Sequence, residues 1–317
     1  MRNFSSYFEF NPCIICKSND FKVLKKSKYN EDLNEDKLLQ LYKSSSDEKL
    51  IDQMVCCKEC NLVYLNPRVK SNIILNSYTN SDDPTFFEQN NLRIRTFKKQ
   101  LNKIVRTLSI TPNKNYILDI GCAGGAFPKA AHDLGFKVIG IEPNKWLVNE
   151  GIKKYNIDLK SGILSDFNFQ KENFNIITLW DVIEHLTNPE EVLHSISHII
   201  KNDGYLLINY PDVNSLACKL MRSKWPFYLN VHLFYFNRKT INKFLDNCGF
   251  KVISCEPFWQ TLELGYILKR ASAYFKIFKI AYFISKKIKL DKIPFKYNLG
   301  QTFIIAQKKA GHEKNLE

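Results

Sequence analysis

The sequence predicts an α/β fold in which an open, mostly parallel sheet carries helices on both faces. Three observations support that expectation. From Tyr116 onward, short apolar runs alternate with stretches of helical period, the pattern of repeated βα units. The stretch YILDIGCAGGAF, Tyr116 to Phe127, reads as a buried strand ending in Asp119 and a small-residue turn into a helix. The stretch KVIGIEP ends the next strand in Glu142, about 20 residues past the turn, where such sheets place a carboxylate that can bind a ribose.

Each element follows from its local pattern. Residues 10–67 hold two Cys-x-x-Cys knuckles separated by a polar insert, Lys25 to Met54, with a helical stretch at 35–42. Asn66-Pro67 closes that part. Residues 71–110 read as helical, because Ile94, Phe97, Leu101, Ile104 and Leu108 recur with a period of roughly 3.6 residues. Thr111-Pro112-Asn113 breaks the pattern. Strands are then expected at 116–120, 137–141, 174–180, 205–209, 251–256 and 302–306, with a short third strand before Gly162. Helices are expected at 127–134, 145–155, 189–200 and 239–248.

A chain of 317 residues allows two domains and a core that needs no staples. With 44% hydrophobic and 25% charged residues its composition is globular, which excludes wholesale disorder and collagen-like repeats. No apolar run reaches the roughly 18 residues of a membrane-spanning helix. Residues 1–13 lack an apolar signal core, so a cytoplasmic protein is expected. Lys and Arg outnumber Asp and Glu, 46 to 32, for a net charge of +14. That excess suits nucleic acid, anionic lipid or phosphorylated substrates, although Lys, Asn and Ile are used heavily along the whole chain.

Nine cysteines in a reducing compartment suggest metal or catalysis before disulfides. Tetrahedral zinc takes four thiolates, and each Cys-x-x-Cys turn can aim two sulfurs at one ion. A closed structural zinc site of Cys13, Cys16, Cys57 and Cys60 is therefore expected. The gap of about 40 residues between the pairs exceeds the roughly 15–20 of a simple ribbon. Cys56 lacks the register with Cys60. The remaining dispersed cysteines, Cys122, Cys218, Cys248 and Cys255, read mostly as small buried hydrophobes.

The small-residue turn lets a backbone approach a ligand, and the helix behind it offers free N–H donors. Together LDIGCAGG, VIGIEP and LWDVIEHL resemble motifs of class I S-adenosylmethionine-dependent methyltransferases. More narrowly, the C..C…C..C.LVYLNPR pattern ahead of them is similar to the bacterial branch with an N-terminal zinc-ribbon-like module. The resemblance covers residues 11–258 and the last strand. It implies a Rossmann-like seven-stranded methyltransferase sheet with a four-cysteine zinc-binding module and a bound S-adenosylmethionine. In that site Asp119 and the loop of Gly121, Ala123, Gly124 and Gly125 would hold the methionine portion. Glu142 would bind the ribose. Gly162 and Ile163 would line the adenine, with Asp166 at its rim. Trp180 and Asp181 would close the site beneath the methyl group. Ala123 stands where the family usually has glycine, a change expected to be tolerated if its φ is negative. A nicotinamide dehydrogenase is the competing reading, but Gly121-Cys-Ala-Gly-Gly fails the G-x-G-x-x-G register.

Methyl transfer needs alignment and often removal of a proton. His185, in IEHL past the fourth strand, and His232, in NVHLFYF past the fifth, are the candidate bases. Either could instead anchor its loop. His132, His194 and His198 fall on expected helices and His312 in the tail. The resembled branch implies a hydroxyl acceptor on a sugar or a polysaccharide or lipid-linked precursor. NYPD at 209–212 follows the fifth strand, whereas the similar signature of amino-methylating DNA and RNA enzymes belongs after the fourth. No Pro-Cys motif of pyrimidine C5-methylation is visible. An RNA methyltransferase and a non-catalytic binding protein on the same scaffold remain the alternatives.

The last two strands are separated by a long segment. Laid out as one helix, it gathers Ile267, Ala271, Tyr274, Phe275, Phe278 and Tyr282 on one side. Lys269, Lys276, Lys279, Lys286 and Lys287 lie mostly opposite, with Ile280 and Phe283 among them. Such a helix would lie apolar side down on an anionic membrane through residues 264–294, peripheral at its inner face, or else form a lid or a dimer contact. The expected division is a zinc-ribbon-like module at 1–67 and a helical connector at 68–111. The methyltransferase domain follows at 112–261 with 297–317, and the basic helical insertion at 262–296.

Overall fold

The computed structural model describes residues 6–29, 33–42, 50–79, 82 and 84–309. A seven-stranded sheet forms its centre. Its strands in chain order are β1 Tyr116–Ile120, β2 Lys137–Glu142, β3 Leu159–Ser161, β4 Phe174–Trp180, β5 Ile200–Pro211, β6 Phe250–Pro257 and β7 Gln301–Lys308. Their spatial order is β6-β7-β5-β4-β1-β2-β3. All run parallel except β7, which lies antiparallel between β5 and β6. Parallel strands covered on both faces read as continuous apolar runs, and Ile117, Leu118, Ile176, Ile177, Leu206 and Leu207 are fully buried. Strand order reverses between β1 and β4, and the crevice beyond the carboxyl ends at such a switch is where α/β sheets bind ligands.

The covering helices Ala126–Asp133, Lys145–Tyr155, Pro189–Ile199 and Arg238–Asn247 start and stop within a residue or two of expectation. Three of them begin at an asparagine whose side chain accepts helix N–H groups: Asn144 from Leu147, Asn188 from Glu191 and Asn237 from Lys239 and Thr240. Residues 71–110 are not one helix. They form Ser71–Thr79, Pro84–Glu88 and Asn90–Leu108, and Pro84 opens the second because proline suits a first helical turn. Leu101 and Ile104 of the long helix pack with Ile117, Phe127 and Phe303.

The cysteine-bearing part builds its own antiparallel sheet from Phe21–Lys25, Met54–Cys57 and Val63–Leu65. A fourth strand comes from far along the chain: Phe234–Tyr235 pairs with Val63–Leu65. The junction is further tied by Leu65 N–H to the Leu233 carbonyl at 2.9 Å and by Ile51 N–H to Asn230 Oδ1 at 2.8 Å. Tyr64, Leu65, Ile208, Phe234 and Phe236 belong to one buried cluster, so the core runs through both parts. In the polar insert, Asn34 caps the helix Glu35–Leu41 by accepting from Lys37 N–H. The hydroxyls of Tyr29 and Tyr42 both donate to the buried carboxylate of Asp52.

Between β6 and β7 the chain forms a hairpin of Gln260–Glu263 and Pro294–Tyr297. Its tip carries two helices, Leu264–Ala271 and Lys276–Lys287. The single amphipathic helix expected here is therefore corrected. At the break, the N–H groups of Tyr274 and Phe275 both bond the Ala271 carbonyl at 3.0 Å. The turn lets Ile267, Ala271, Tyr274, Phe275 and Phe278 all face one internal cavity. That is the side the sequence pattern would have laid on a membrane; it points inward, as a lid does.

Candidate active site

Where the strand order reverses, the structure holds a cavity of about 580 Å³. The carboxyl ends of β1 and β4 bring Asp119, Trp180 and Asp181 to its wall, and the turn after β1 adds Gly121, Ala123 and Gly124. The loop after β4 adds Glu184 and His185, the loop after β5 adds His232, and the inner face of the hairpin helices closes the far side.

The small-residue turn is built by local constraint. Gly121 has φ +70°, and a Cβ there would meet Val182 at 2.5 Å. A Cβ on Gly124 would stand 2.4 Å from the ring of Phe87. Asn90 Nδ2 donates to the Gly124 carbonyl at 3.0 Å, so residues ahead of the sheet cover this loop. Ala123 adopts φ +46°. The negative φ that would have made alanine harmless is not found; the position asks for glycine geometry. The backbone is held there by Glu142, whose Oε2 accepts the Ala123 N–H and whose Oε1 accepts the Asn144 N–H, both at 2.9 Å.

Asp119 is buried and accepts the Thr178 hydroxyl at 2.5 Å. Burial pushes its carboxyl well above the usual range, the Thr178 bond opposes this, and the nearby Glu142 adds to the rise. Glu142 is itself pushed up to about 7 by burial. Asp181 has φ +53°. Its oxygens accept from Asn209 Nδ2 at 2.7 Å and from Gln301 Nε2 at 3.0 and 3.1 Å. Burial raises it to about 6 against those bonds. Trp180 stacks on Phe303 at 5.3 Å and packs on Phe97, Phe127 and Phe258.

The structure does not bring every expected residue to the cavity. Gly125 caps the following helix. Glu142, Gly162, Ile163 and Asp166 lie off its wall, and Asp166 accepts its own turn's Ile163 N–H at 2.8 Å.

His185 and His232 do meet, with ring centroids 4.6 Å apart, edge to face. Each imidazole bonds a backbone group, of Val231 and Phe227 respectively. A ring N–H donating to a carbonyl there leaves Nδ1 as the lone-pair nitrogen, and neither Nδ1 has a partner. Burial lowers His185 to about 4, and lowers His232 well below its usual value with His185 adding to the effect. Glu184 completes the cluster: one atom from each of the three lies within 4.8 Å of the others. Neither Glu184 oxygen has a partner, and burial holds the group protonated well above the usual range, with Asp181 adding to the rise.

More unpartnered polar atoms line the same wall: Asn90 Oδ1, Arg93 Nε, Trp180 Nε1 and Gln301 Oε1. A buried polar atom without a partner costs about 1–3 kcal/mol, so their convergence on one cavity marks a ligand site. Together with the glycine cradle, they fit a nucleoside and amino-acid ligand such as S-adenosylmethionine. Arg93, Glu184 and Gln301 were not singled out in the sequence. Glu184 adjoins His185 in IEH and could have been; Arg93 lies in an ordinary basic helix, and Gln301 arrives from 120 residues beyond Asp181.

At the opposite end of the chain, Cys13 and Cys60 sulfurs stand 3.3 Å apart and Cys16 and Cys57 sulfurs 3.5 Å apart, all four within 4.8 Å of one another. Tetrahedral zinc at about 2.3 Å from each sulfur needs spacings of about 3.8 Å. This donor set fits zinc. Cys56, Cys122, Cys218 and Cys248 are buried elsewhere, and Cys255 is half-buried.

A family model described as "Methyltransferase domain" matches residues 92–255. The chain belongs to this methyltransferase family. The match covers β1 to β5, most of β6 and the long helix before the sheet. Among curated relatives, the methyltransferase is 34% identical over 103 residues to the ubiquinone biosynthesis O-methyltransferase of Glaesserella parasuis serovar 5, covering 29% of this chain and 44% of that protein. It is 28% identical over 125 residues to the protein of that name from Pelagibacter ubique, covering 38% and 52%. The chain thus spans about half the length of these relatives. A solved SAM-dependent methyltransferase from Archaeoglobus fulgidus aligns with TM-score 0.49 at 19% identity, over 71% of this chain and all of that one. One from Thermotoga maritima aligns with TM-score 0.46 at 18% identity, over 71% and 94%. No helix among the described residues is long and apolar enough to cross a membrane.

Proposed function

We propose that this methyltransferase moves the methyl group of S-adenosylmethionine, in line, to a hydroxyl of a small-molecule acceptor. The observation that carries the reading is the pairing of a glycine-cradled pocket with two neutral imidazoles that meet on one cavity. Bound S-adenosylmethionine supplies an activated methyl on a sulfonium. Asp119 and the loop of Gly121, Ala123, Gly124 and Gly125 are assigned to its methionine end, and Glu142 to the ribose. Gly162, Ile163 and Asp166 are assigned to the adenine, and Trp180 and Asp181 to the floor beneath the methyl. Arg93 is a cation on the wall and is assigned to the cofactor's carboxylate.

His232 or His185 accepts the acceptor's hydroxyl proton at Nδ1 as the carbon–oxygen bond forms and the carbon–sulfur bond breaks. An imidazolium formed there sits beside Glu184, whose carboxyl can ionise to pair with it. The relatives named for O-methylation support a hydroxyl acceptor. The far wall of Ile267, Tyr274, Phe275 and Phe278 suits an acceptor with an apolar part, such as a sugar on a polysaccharide or lipid-linked precursor. That wall gives a polynucleotide little to grip, which places RNA second. Cys13, Cys16, Cys57 and Cys60 are assigned to a structural zinc.

The test is calorimetric titration with S-adenosylmethionine and S-adenosylhomocysteine, beside Asp119→Asn and Glu142→Ala. Micromolar binding that both variants weaken supports the site. No binding by a folded, zinc-loaded sample moves the non-catalytic scaffold to the front. With an acceptor in hand, His232→Asn should cost about 10²–10⁴-fold in kcat while leaving cofactor affinity unchanged.

A further inference from the structure

The hairpin helices show the cavity one face and the surface another. On Lys276–Lys287 and its cap, Ile277, Ile280, Ile284 and Ile288 are 70%, 63%, 53% and 54% exposed. Their spacing of three, four and four residues puts them on one stripe of the helix. Phe283 beside them is 59% exposed, and Ile293 and Phe295 on the return strand region are 46% and 48% exposed. Single exposed apolar residues need no explanation, but a contiguous group does. The inward residues Phe278 and Ser285 lie elsewhere on the helix, so this stripe has no partner within the described residues.

Charge decides what covers it. Between residues 264 and 296 there are nine Lys and Arg and one acid, Asp291. Lys276 and Lys287 flank the stripe, Lys279 and Lys286 lie farther round the helix, and all four are exposed. One cation is neutralised at its edge, where Lys292 pairs with Glu263 at 3.3 Å. A second copy of this chain would bring the same lysines against these, which is repulsive, whereas anionic headgroups would pair with them. A helix with an apolar stripe and lysines alongside is the form that lies in a bilayer interface.

We propose that the outer face of residues 276–295 docks on an anionic phospholipid surface, with Ile277, Ile280, Ile284 and Ile288 seated among the acyl chains. Phe295 belongs to both surfaces, lining the cavity and standing half in solvent. The docked face therefore adjoins the acceptor pocket, and the acceptor is an amphiphile drawn from the bilayer. That last point rests on the methyl-transfer reading; the docking does not.

The experiment is co-sedimentation of the full chain with vesicles of phosphatidylcholine alone and with about a quarter phosphatidylglycerol. The expected result is binding to the anionic vesicles at least about tenfold stronger than to the neutral ones, weakening with salt. Ile280→Glu with Ile284→Glu should abolish it, and Lys276→Glu with Lys279→Glu should reduce it by a similar factor. Both pairs are exposed, so S-adenosylmethionine titration of the same samples reports the cofactor site separately. Wild-type protein that stays in the supernatant overturns the proposal, as does undiminished binding by Ile280→Glu/Ile284→Glu. A wild-type dimer that this double variant turns into a monomer would assign the face to a second copy and also overturn it.

Discussion

Burial sets the charge state of the candidate bases. An imidazole with an unfolded pKa near 6.5 that falls to about 4 on folding adds stability that is complete above about pH 6.5 and is lost as pH falls through about 4. The His185 contribution, read as the difference in melting temperature between wild type and His185→Gln, should therefore be constant above about pH 6.5 and change between about pH 6 and 4. A melting series that does not respond to the substitution would refute a buried neutral His185. The carboxylates have the opposite sign. Burial makes Glu142, at about 7, and Asp181, at about 6, resist ionisation. A ligand that donates hydroxyls and brings a sulfonium favours their charged forms. Binding should release protons, so affinity should rise with pH between about 6 and 8, read by calorimetry in two buffers of different ionisation enthalpy. At Ala123 the strain is conformational. An L-residue at φ +46° carries about 1 kcal/mol that glycine does not, and Ala123→Gly should raise stability by no more than that, measured by urea unfolding. The position of Ala123 was legible from the motif; its φ was not, because it depends on Glu142 reaching across from β2.

At the scale of elements, the cysteine-bearing sheet and the His232 loop are one structure. Phe234–Tyr235 is both the last strand of that sheet and the continuation of the segment that carries His232. Loss of zinc should thus act on catalysis before it acts on cofactor binding. Cys57→Ser is expected to lose zinc and to lower kcat by at least about tenfold, with S-adenosylmethionine affinity within a few-fold of wild type. Equal loss of both would mean that the whole domain unfolds with the module. The Cys-x-x-Cys spacing made the four-cysteine cluster readable. The pairing with Phe234–Tyr235 was hidden, since two residues about 170 positions away leave no periodic trace. The same limit explains residues 71–110: the apolar period is visible, but the break at Gln89 goes with Phe87 and Asn90 covering Gly124.

For the whole molecule, the segment between β6 and β7 is a decoration on a hairpin already closed by the Glu263–Pro294 register. Replacing residues 264–293 with Asn-Gly should leave the sheet folded and cofactor binding intact, because a two-residue turn suits such a pair. It should raise KM for the acceptor far more than it changes cofactor affinity, since it removes the far wall of the cavity. A variant with unchanged acceptor KM would show that the wall does not touch substrate.

The sequence by itself determined the alternating sheet, the glycine turn after β1, the carboxylates Asp119 and Glu142, and the four-cysteine set. Those are local signals: apolar period, small residues, and ligand spacing within a turn. Tertiary structure alone decided that Glu142 pins the Ala123 loop, that His185 and His232 share Glu184, and that the hairpin helices turn their predicted membrane side inward. Each depends on groups that meet only when distant strands and loops pack, and burial, which sets their charge, is a property of that packing and not of any segment of chain.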